Sequence, residues 1–272
     1  MPYDDILNAT GHRPTPLPRR PWTMTQRWNN LLFAHWPVPA ASIAPLLPPG
    51  LVPDTYDGSA WVGVVPFWMD RIRYRVLPRI PGLSSFPELN LRTYVREAGT
   101  NLSGVYFFAL DAADPVAVTV ARLFFHLPYY WAGMALEPQP EGRFAYRSHR
   151  RLASPPVRFS ATYRGLGPTR RLAQSTPGSI EHFLTERYRL YTADRKGHLF
   201  QGDIHHLPWP LEAAEAEIHS NDLPAAHGIR LPDTKPLLYY ARELVVYVWS
   251  LELAKGFKTS LNATPVPAVE PL

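Results

Sequence analysis

No cysteine occurs anywhere in the chain. That removes disulfides, thiolate nucleophiles and cysteine-based zinc centres together, and leaves only His and carboxylates for a zinc site. Lysine is nearly as scarce. Only Lys196, Lys235, Lys255 and Lys258 are present, so the first two-thirds of the chain carries no lysine amine. Long apolar runs are also missing: the most hydrophobic stretch, 244–251, is far too short to cross a bilayer. The opening Met1-Pro2-Tyr3-Asp4-Asp5 is acidic and lacks the basic-then-apolar character of a signal peptide. The expected location is therefore the cytoplasm, with no membrane partner. Net charge is +5, yet no run of five or more basic residues exists. Arg150–Arg151 and Arg170–Arg171 are isolated pairs, so no nucleic-acid partner is expected.

Several catalytic signatures are absent too. The chain has no G-x-S-x-G, no P-loop, no G-x-G-x-x-G, and neither H-x-x-x-H nor H-E-x-x-H. The usual sequence support for serine hydrolases, NTPases and Rossmann oxidoreductases is missing, and neither a metal nor a cofactor is expected.

What remains is a chain able to bury a core, with 46% hydrophobic and 19% charged residues. Its 31 prolines are about twice the usual share and are spread out, which interrupts helices and favours short strands joined by turns. The 272 residues read as an arm over 1–21, a single β-rich domain over 22–259 and a disordered tail over 260–272. Four helices are expected, at about Pro39–Leu47, Asp114–Phe125, Ser179–Tyr191 and Leu211–His219. Strands are expected at Trp61–Phe67, Ile72–Val76, Leu89–Glu97, Val105–Leu110, Arg143–Arg147, Val157–Tyr163, Leu199–His205 and Leu237–Trp249. Strands in runs with single inserted helices indicate an α+β fold with a mainly antiparallel sheet and a few peripheral helices.

Three clusters carry chemistry. In Glu88-Leu89-Asn90-Leu91-Arg92-Thr93-Tyr94 the even positions share one strand face and the odd positions are mostly aliphatic. The row Glu88, Asn90, Arg92 and Tyr94 suits a polar cavity in which Arg92 holds a carboxylate; the same alternation also suits the solvent face of a half-buried sheet. In Arg122-Leu123-Phe124-Phe125-His126, Arg122 and His126 fall on one helical face, and an arginine in so apolar a setting calls for a partner such as Glu88. That pairing suits a site or a structural clamp equally. In Asp203-Ile204-His205-His206, adjacent strand histidines point to opposite faces, which reads as a packed aromatic corner rather than a metal pair. His35-Trp36-Pro37 is open to either reading.

The blocks Leu31–Pro39, 58–67, 86–95, 104–110, 121–132, Phe183–Tyr188 and His206–Pro210 together resemble, in order, the DUF2071 (YqjF-like) family of the acetoacetate decarboxylase-like superfamily. The resemblance implies a curved antiparallel sheet closing into a cone-like barrel around a central cavity, with helices outside. It also implies that the Glu88 strand lines the cavity and that the Arg122 helix leads into the turn carrying a Pro-Lys-Lys motif. Here that turn reads Pro128-Tyr129-Tyr130. A Schiff base needs a primary amine, which tyrosine does not supply, so decarboxylation by the superfamily's mechanism is not expected. The expected site then comprises Glu88, Tyr129 and Tyr130 in catalytic roles and Asn90, Arg92, Tyr94, Arg122 and His126 in ligand binding. The expected partner is a small carbonyl or carboxylate compound, alongside further copies of the chain if it oligomerises. A non-catalytic sensor or carrier, and a structural protein with a filled cavity, stand as alternatives.

Overall fold

A computed structural model of the chain describes residues 4–76, 85–100, 102–116, 118–119, 122, 126–167, 177–194 and 196–254. Its strands are β1 (Met24–Val38), β2 (Leu51–Pro53), β3 (Ala60–Tyr74), β4 (Phe86–Glu97), β5 (Ser103–Ala112), β6 (Tyr129–Pro138) and β7 (Phe144–Arg150). They continue as β8 (Arg158–Gly165), β9 (Arg189–Ala193), β10 (Leu199–His205), β11 (Leu211–Asn221), β12 (Leu237–Val248) and β13 (Glu252–Leu253). Short helices α1 (Asp4–Asn8), α2 (Ala40–Ile43), α3 (Ile180–Thr185) and α4 (Leu223–Ala226) lie between or before them. Among the described residues no helix is long and apolar enough to cross a membrane.

Nine strands close a mixed barrel in the order β5-β6-β7-β8-β11-β12-β1-β3-β4, with β4 pairing back onto β5. The β5–β6 seam is parallel and the others are antiparallel. The edges of β5 and β12 are long enough to carry a second set of partners. β9 pairs parallel with β5 at Val105 and Tyr106, and β10 pairs antiparallel with β12 at Val248 and Tyr247. With β9 paired to β10, these two strands bridge the same five-stranded wall, β12-β1-β3-β4-β5, on its other side. One wall thus serves two rings.

Strand alternation divides the wall's side chains between two cores. Leu32, Val62, Leu91, Tyr146, Phe159 and Tyr240 belong to the packing inside the nine-stranded barrel. Phe33, Phe67, Met69, Phe86, Tyr94 and Trp209 belong to the opposite face, under β9, β10 and α3. The wall bends where Asn30 takes a left-handed conformation at φ 51°, and the β1–β3 register shifts between Asn29 and Ala34. Asparagine tolerates this conformation better than most residues, and two tyrosines hold it. Tyr163 Oη donates to the Asn30 carbonyl at 2.8 Å, and Tyr240 Oη donates to its Oδ1 at 2.7 Å.

Several expected elements differ. The Ala/Glu-rich segment expected as a helix is β11, because Ala214, Ala216 and Ile218 pack on the barrel core while Glu215 on the other face pairs with Arg143 and Arg164. Cross-strand burial with period two outweighs the local helix preference of alanine and glutamate. The helix expected to run on to Tyr191 stops at Thr185: Ser179 caps it by accepting from the His182 amide at 3.2 Å, and the chain then extends into β9. The first expected helix is α2 continuing as a 3-10 turn to Leu46. Of Asp114–Phe125, residues 115, 116, 118, 119 and 122 are helical, while 117, 120, 121 and 123–125 lie outside the described residues, as does the expected tail. β1, β6 and β9 are strands the sequence reading did not name. The arm carries α1 and is docked: Ile6 packs with Trp22, Tyr247 and Trp249, and Arg13 donates to the Ile204 carbonyl at 2.6 Å.

The Asn30 bend makes a measurable difference between two substitutions. Asn30→Ala should lower unfolding free energy by about 2–3 kcal/mol, combining about 1 kcal/mol of left-handed strain with the stranded Tyr240 hydroxyl. Asn30→Gly keeps the backbone conformation and should lose only the hydrogen bond, about 1 kcal/mol. Equal losses in denaturant titrations would show that the bend does not depend on the backbone preference.

Candidate functional site

β4 is buried on both faces, with Leu89 and Leu91 turned to the barrel core and Glu88, Asn90 and Arg92 to the opposite side. There they line a cavity of about 560 Å³. Its walls are mainly apolar, with Trp28, Phe67, Phe107, Leu184 and Trp209 among them. The open volume lies under β9, β10 and α3 rather than within the nine-stranded barrel, whose interior is packed.

Glu88 is 3% exposed. Tyr129 Oη donates to its Oε2 at 2.9 Å. Burial pushes the Glu88 carboxyl up to about 7, against the opposing hydrogen bonds from Tyr129 and Asn90. Burial and the neighbouring Glu88 hold the Tyr129 hydroxyl well above its ordinary range, so it stays a donor. The backbone at Glu88 is fixed from the barrel side, where Tyr146 Oη donates to its carbonyl at 2.7 Å.

Arg92 is 8% exposed. Its Nη2 donates to Tyr94 Oη at 3.1 Å and to the Leu184 carbonyl at 3.4 Å, its guanidinium lies 5.2 Å from the Phe33 ring centre, and its Nε has no partner. No carboxylate pairs with it among the described residues. Two further arginines line the cavity, and both are matched: Arg187 to Asp54 at 2.7 Å and Arg189 to Asp203 at 3.2 Å. Tyr94 gives its one proton to the Leu184 carbonyl at 2.8 Å, so it must accept from His35 Nε2 at 2.7 Å. His35 therefore carries a proton on Nε2, and burial and the Arg92 charge lower its basicity well below normal, which favours the neutral ring. Gly63 faces Arg92 across the β3–β4 ladder, and a Cβ there would stand 2.6 Å from His35 Nε2. The close approach of these two side chains requires glycine.

His206 also lines the cavity. Its Nδ1 bonds to the Leu207 carbonyl at 2.7 Å, which leaves Nε2 a buried acceptor without a partner. Burial lowers its pKa to about 3, so the ring is neutral. The packed aromatic corner expected here is formed, with the His206 ring stacked on Tyr188 and meeting Trp209 edge-on, and the same corner is part of the cavity lining.

The expected site residues thus separate. Glu88, Asn90, Arg92 and Tyr129 meet at the cavity. Tyr94 stands behind Arg92, fully buried, and does not line it. Tyr130 points the other way, as alternation along β6 demands, with Arg150 3.7 Å from its ring centre. Arg122 is exposed, and its Nε donates to the Tyr129 carbonyl at 2.5 Å. The Glu88–Arg122 pair is not formed, because the helical segment reaches the surface at Arg122 and solvates the charge. His126 is exposed as well and stacks on Phe200 at 5.0 Å.

The fold is that of the acetoacetate decarboxylase-like proteins. An enduracididine biosynthesis enzyme, MppR, in complex with pyruvate superposes with a TM-score of 0.57 at 11% identity, covering 88% of this chain and 93% of that one. Acetoacetate decarboxylase from Legionella pneumophila gives 0.56 at 12%, covering 89% and 92%. An acetoacetate decarboxylase-like enzyme from Sphingomonas wittichii RW1 gives 0.56 at 12%, covering 88% and 96%. At sequence level the model of DUF2071, an uncharacterized conserved protein family, matches residues 25–245. The uncharacterized protein YqjF of Bacillus subtilis is 47% identical over 230 residues, 85% of this chain and 92% of that protein. The chain belongs to the DUF2071 family.

Glu88 sets a pH dependence. A carboxyl that ionises near 4.5 in the unfolded chain and near 7 in the folded protein binds more protons when folded. Its stabilising contribution is complete below about 4.5 and is lost as pH rises through about 7. Relative to Glu88→Gln, the wild-type protein should lose of order 3 kcal/mol between pH 4.5 and 8. A difference that stays flat across that range would mean the carboxyl is solvated.

Proposed function

We propose that this protein binds a small molecule carrying a carboxylate and, further along it, a carbonyl group, and that Glu88 and Tyr129 act on a proton of the bound molecule. The observation behind this reading is Arg92, a buried guanidinium without a carboxylate, facing a cavity of about 560 Å³. A buried cation lacking its counter-charge costs several kcal/mol. A carboxylate is the ligand group whose charge and forked geometry remove that cost. The pyruvate in the MppR complex has the same pair of groups and supports this chemical class.

With its acidity near neutrality, Glu88 is present in both forms at pH 7, which suits a general base. It would take a proton from the carbon beside the ligand carbonyl, leaving the electron pair as an enolate, and return it to the same or another carbon. Tyr129, which remains protonated, holds the Glu88 carboxyl in place and supplies the site's hydroxyl donor. No lysine lines the cavity among the described residues, so no covalent imine takes part. A non-catalytic carrier or sensor would use the same Arg92 contact; the two hydrogen bonds already engaging Glu88 favour that second reading.

Titration calorimetry with monocarboxylates and their neutral amides tests the binding. The acids should bind, the amides should not, and Arg92→Met should weaken the acids at least about thirtyfold. The same substitution should leave the unliganded protein as stable or stabler, since it removes an uncompensated charge. Equal binding of acids and amides would overturn the reading. Borohydride should leave no adduct with a 2-oxo acid. Solvent deuterium exchange at the carbon beside the carbonyl, faster with wild type than with Glu88→Gln, separates an enzyme from a carrier.

A further inference from the structure

The cavity is far larger than a three- or four-carbon acid would fill, and most of its lining is apolar. Along β3 and β4 the paired residues run Gly63–Arg92, Val65–Asn90, Phe67–Glu88 and Met69–Phe86. Arg92 stands at a closed end, sealed behind by Tyr94 and the Leu184 carbonyl. From there Asn90 and Glu88 follow, and past Glu88 the lining turns mainly apolar through Phe86, Met69, Ile72, Met24 and Val248, with the Tyr74 ring among them. Gln26, the amide in that stretch, is already engaged, accepting from Trp28 Nε1 at 2.9 Å and donating to Met24 Sδ at 3.5 Å. At about 3.3 Å per residue, the strand carries the lining roughly 13 Å from Arg92 to Glu88 and roughly 20 Å to Phe86. Asn90 and Tyr129 are both bonded to the Glu88 carboxyl, which leaves Asn90 Oδ1 as the buried acceptor without a partner on the way.

We propose that the ligand is an amphipathic monocarboxylate of on the order of ten carbons or more, its acid group on Arg92 and its hydrocarbon body running past Glu88 into the Phe86–Met69–Met24 end. This rests on the preceding reading that Arg92 holds a ligand carboxylate, and it adds the length and character of the rest of the molecule. A chain of that kind matches charge to Arg92, the lining arginine that no carboxylate pairs among the described residues, and covers the apolar wall with apolar surface. A short keto acid would satisfy Arg92 alone and leave the mainly apolar far end to water.

The test uses saturated linear monocarboxylates of four, eight, twelve and sixteen carbons, each below its micelle concentration, titrated against the full-length protein. Affinity should rise roughly threefold to fourfold per added methylene up to about ten or twelve carbons, then level off as the cavity fills. Met69→Trp narrows the far end and should shift that plateau toward eight carbons while leaving the four-carbon acid unchanged. Arg92→Met should weaken every length by a similar factor. Melting temperatures of both unliganded variants within a few degrees of wild type establish that they are folded; if Met69→Trp does not fold, Met69→Phe makes a smaller change of the same sign. Affinity independent of length, with Arg92→Met still damaging, overturns the long-chain proposal and leaves the carboxylate reading intact. Affinity rising with length but indifferent to Arg92→Met and equal for the corresponding alcohols overturns the carboxylate reading and the acid end of this proposal together. A length dependence unmoved by Met69→Trp means binding outside this cavity, and the proposal fails.

Discussion

Everything that positions the cavity depends on β4 being buried on both faces. A strand of that kind has no solvent side, so each residue is committed to one core or the other, and a slip of one position would exchange Leu89 and Leu91 for Glu88 and Arg92 inside the packed barrel. The cost of that error, a charged row in an aliphatic core, fixes the register more firmly than the hydrogen-bond ladder does. The barrel side reinforces it through Tyr146, whose hydroxyl is spent on the Glu88 carbonyl. The nine-stranded barrel is therefore the rigid body of the molecule, and the second ring inherits a polar row whose spacing is already set.

Arg92 is best understood against the other buried arginines. Arg150 is bound to Asp111 at 2.9 Å, Arg187 to Asp54 and Arg189 to Asp203. At Arg150, Arg187 and Arg189 the fold supplies a carboxylate. At Arg92 it supplies instead an aromatic face, a tyrosine hydroxyl and a peptide carbonyl, all uncharged. The groups around it are also arranged to stay uncharged: Tyr94 is held protonated by burial, and His35 is held neutral. A neutral nest orients the cation without cancelling its charge. Weak compensation of this kind costs stability.

The parts of this arrangement legible in the sequence are those governed by strict alternation. The even row of β4 could be assigned to one face from residue types alone, and three of its members, Glu88, Asn90 and Arg92, line the cavity while Tyr94 stands behind them. The α+β class followed from Val- and aromatic-rich segments bounded by Pro and Gly. What was not legible depended on partners distant in sequence. β11 has the composition of a helix, and only Tyr163 and Tyr239 opposite it make its alternation decisive. β1 reads as an irregular polar-aromatic stretch because its inward face changes parity at Asn30, so neither half shows a long period-two pattern. The Glu88–Arg122 pairing assumed that an arginine among Leu and Phe is buried, yet a helix can end at the surface within one turn. The role of His206 was hidden because an aromatic corner and a cavity wall have the same composition; what separates them is one unpaired Nε2, which no local pattern encodes.

The tyrosine at 129 has a consequence beyond removing an amine. An amine reaching the place of the Tyr129 hydroxyl would sit within ion-pair distance of Glu88, and a cation there would hold the carboxylate ionised. Tyr129 donates one neutral hydrogen bond instead, Arg122 lies outside at the surface, and Arg92 is turned to Tyr94 and Leu184. Glu88 is left with burial as the dominant influence, and burial raises its proton affinity to neutrality. Tyr129 therefore leaves Glu88 a carboxyl whose proton exchange falls near neutral pH. Tyr130 takes no part in this exchange because alternation sends it to Arg150. Of the two tyrosines in the turn, one is coupled to the cavity's acid and the other to the packing of the barrel, so a substitution at 130 acts on the scaffold while one at 129 acts on Glu88.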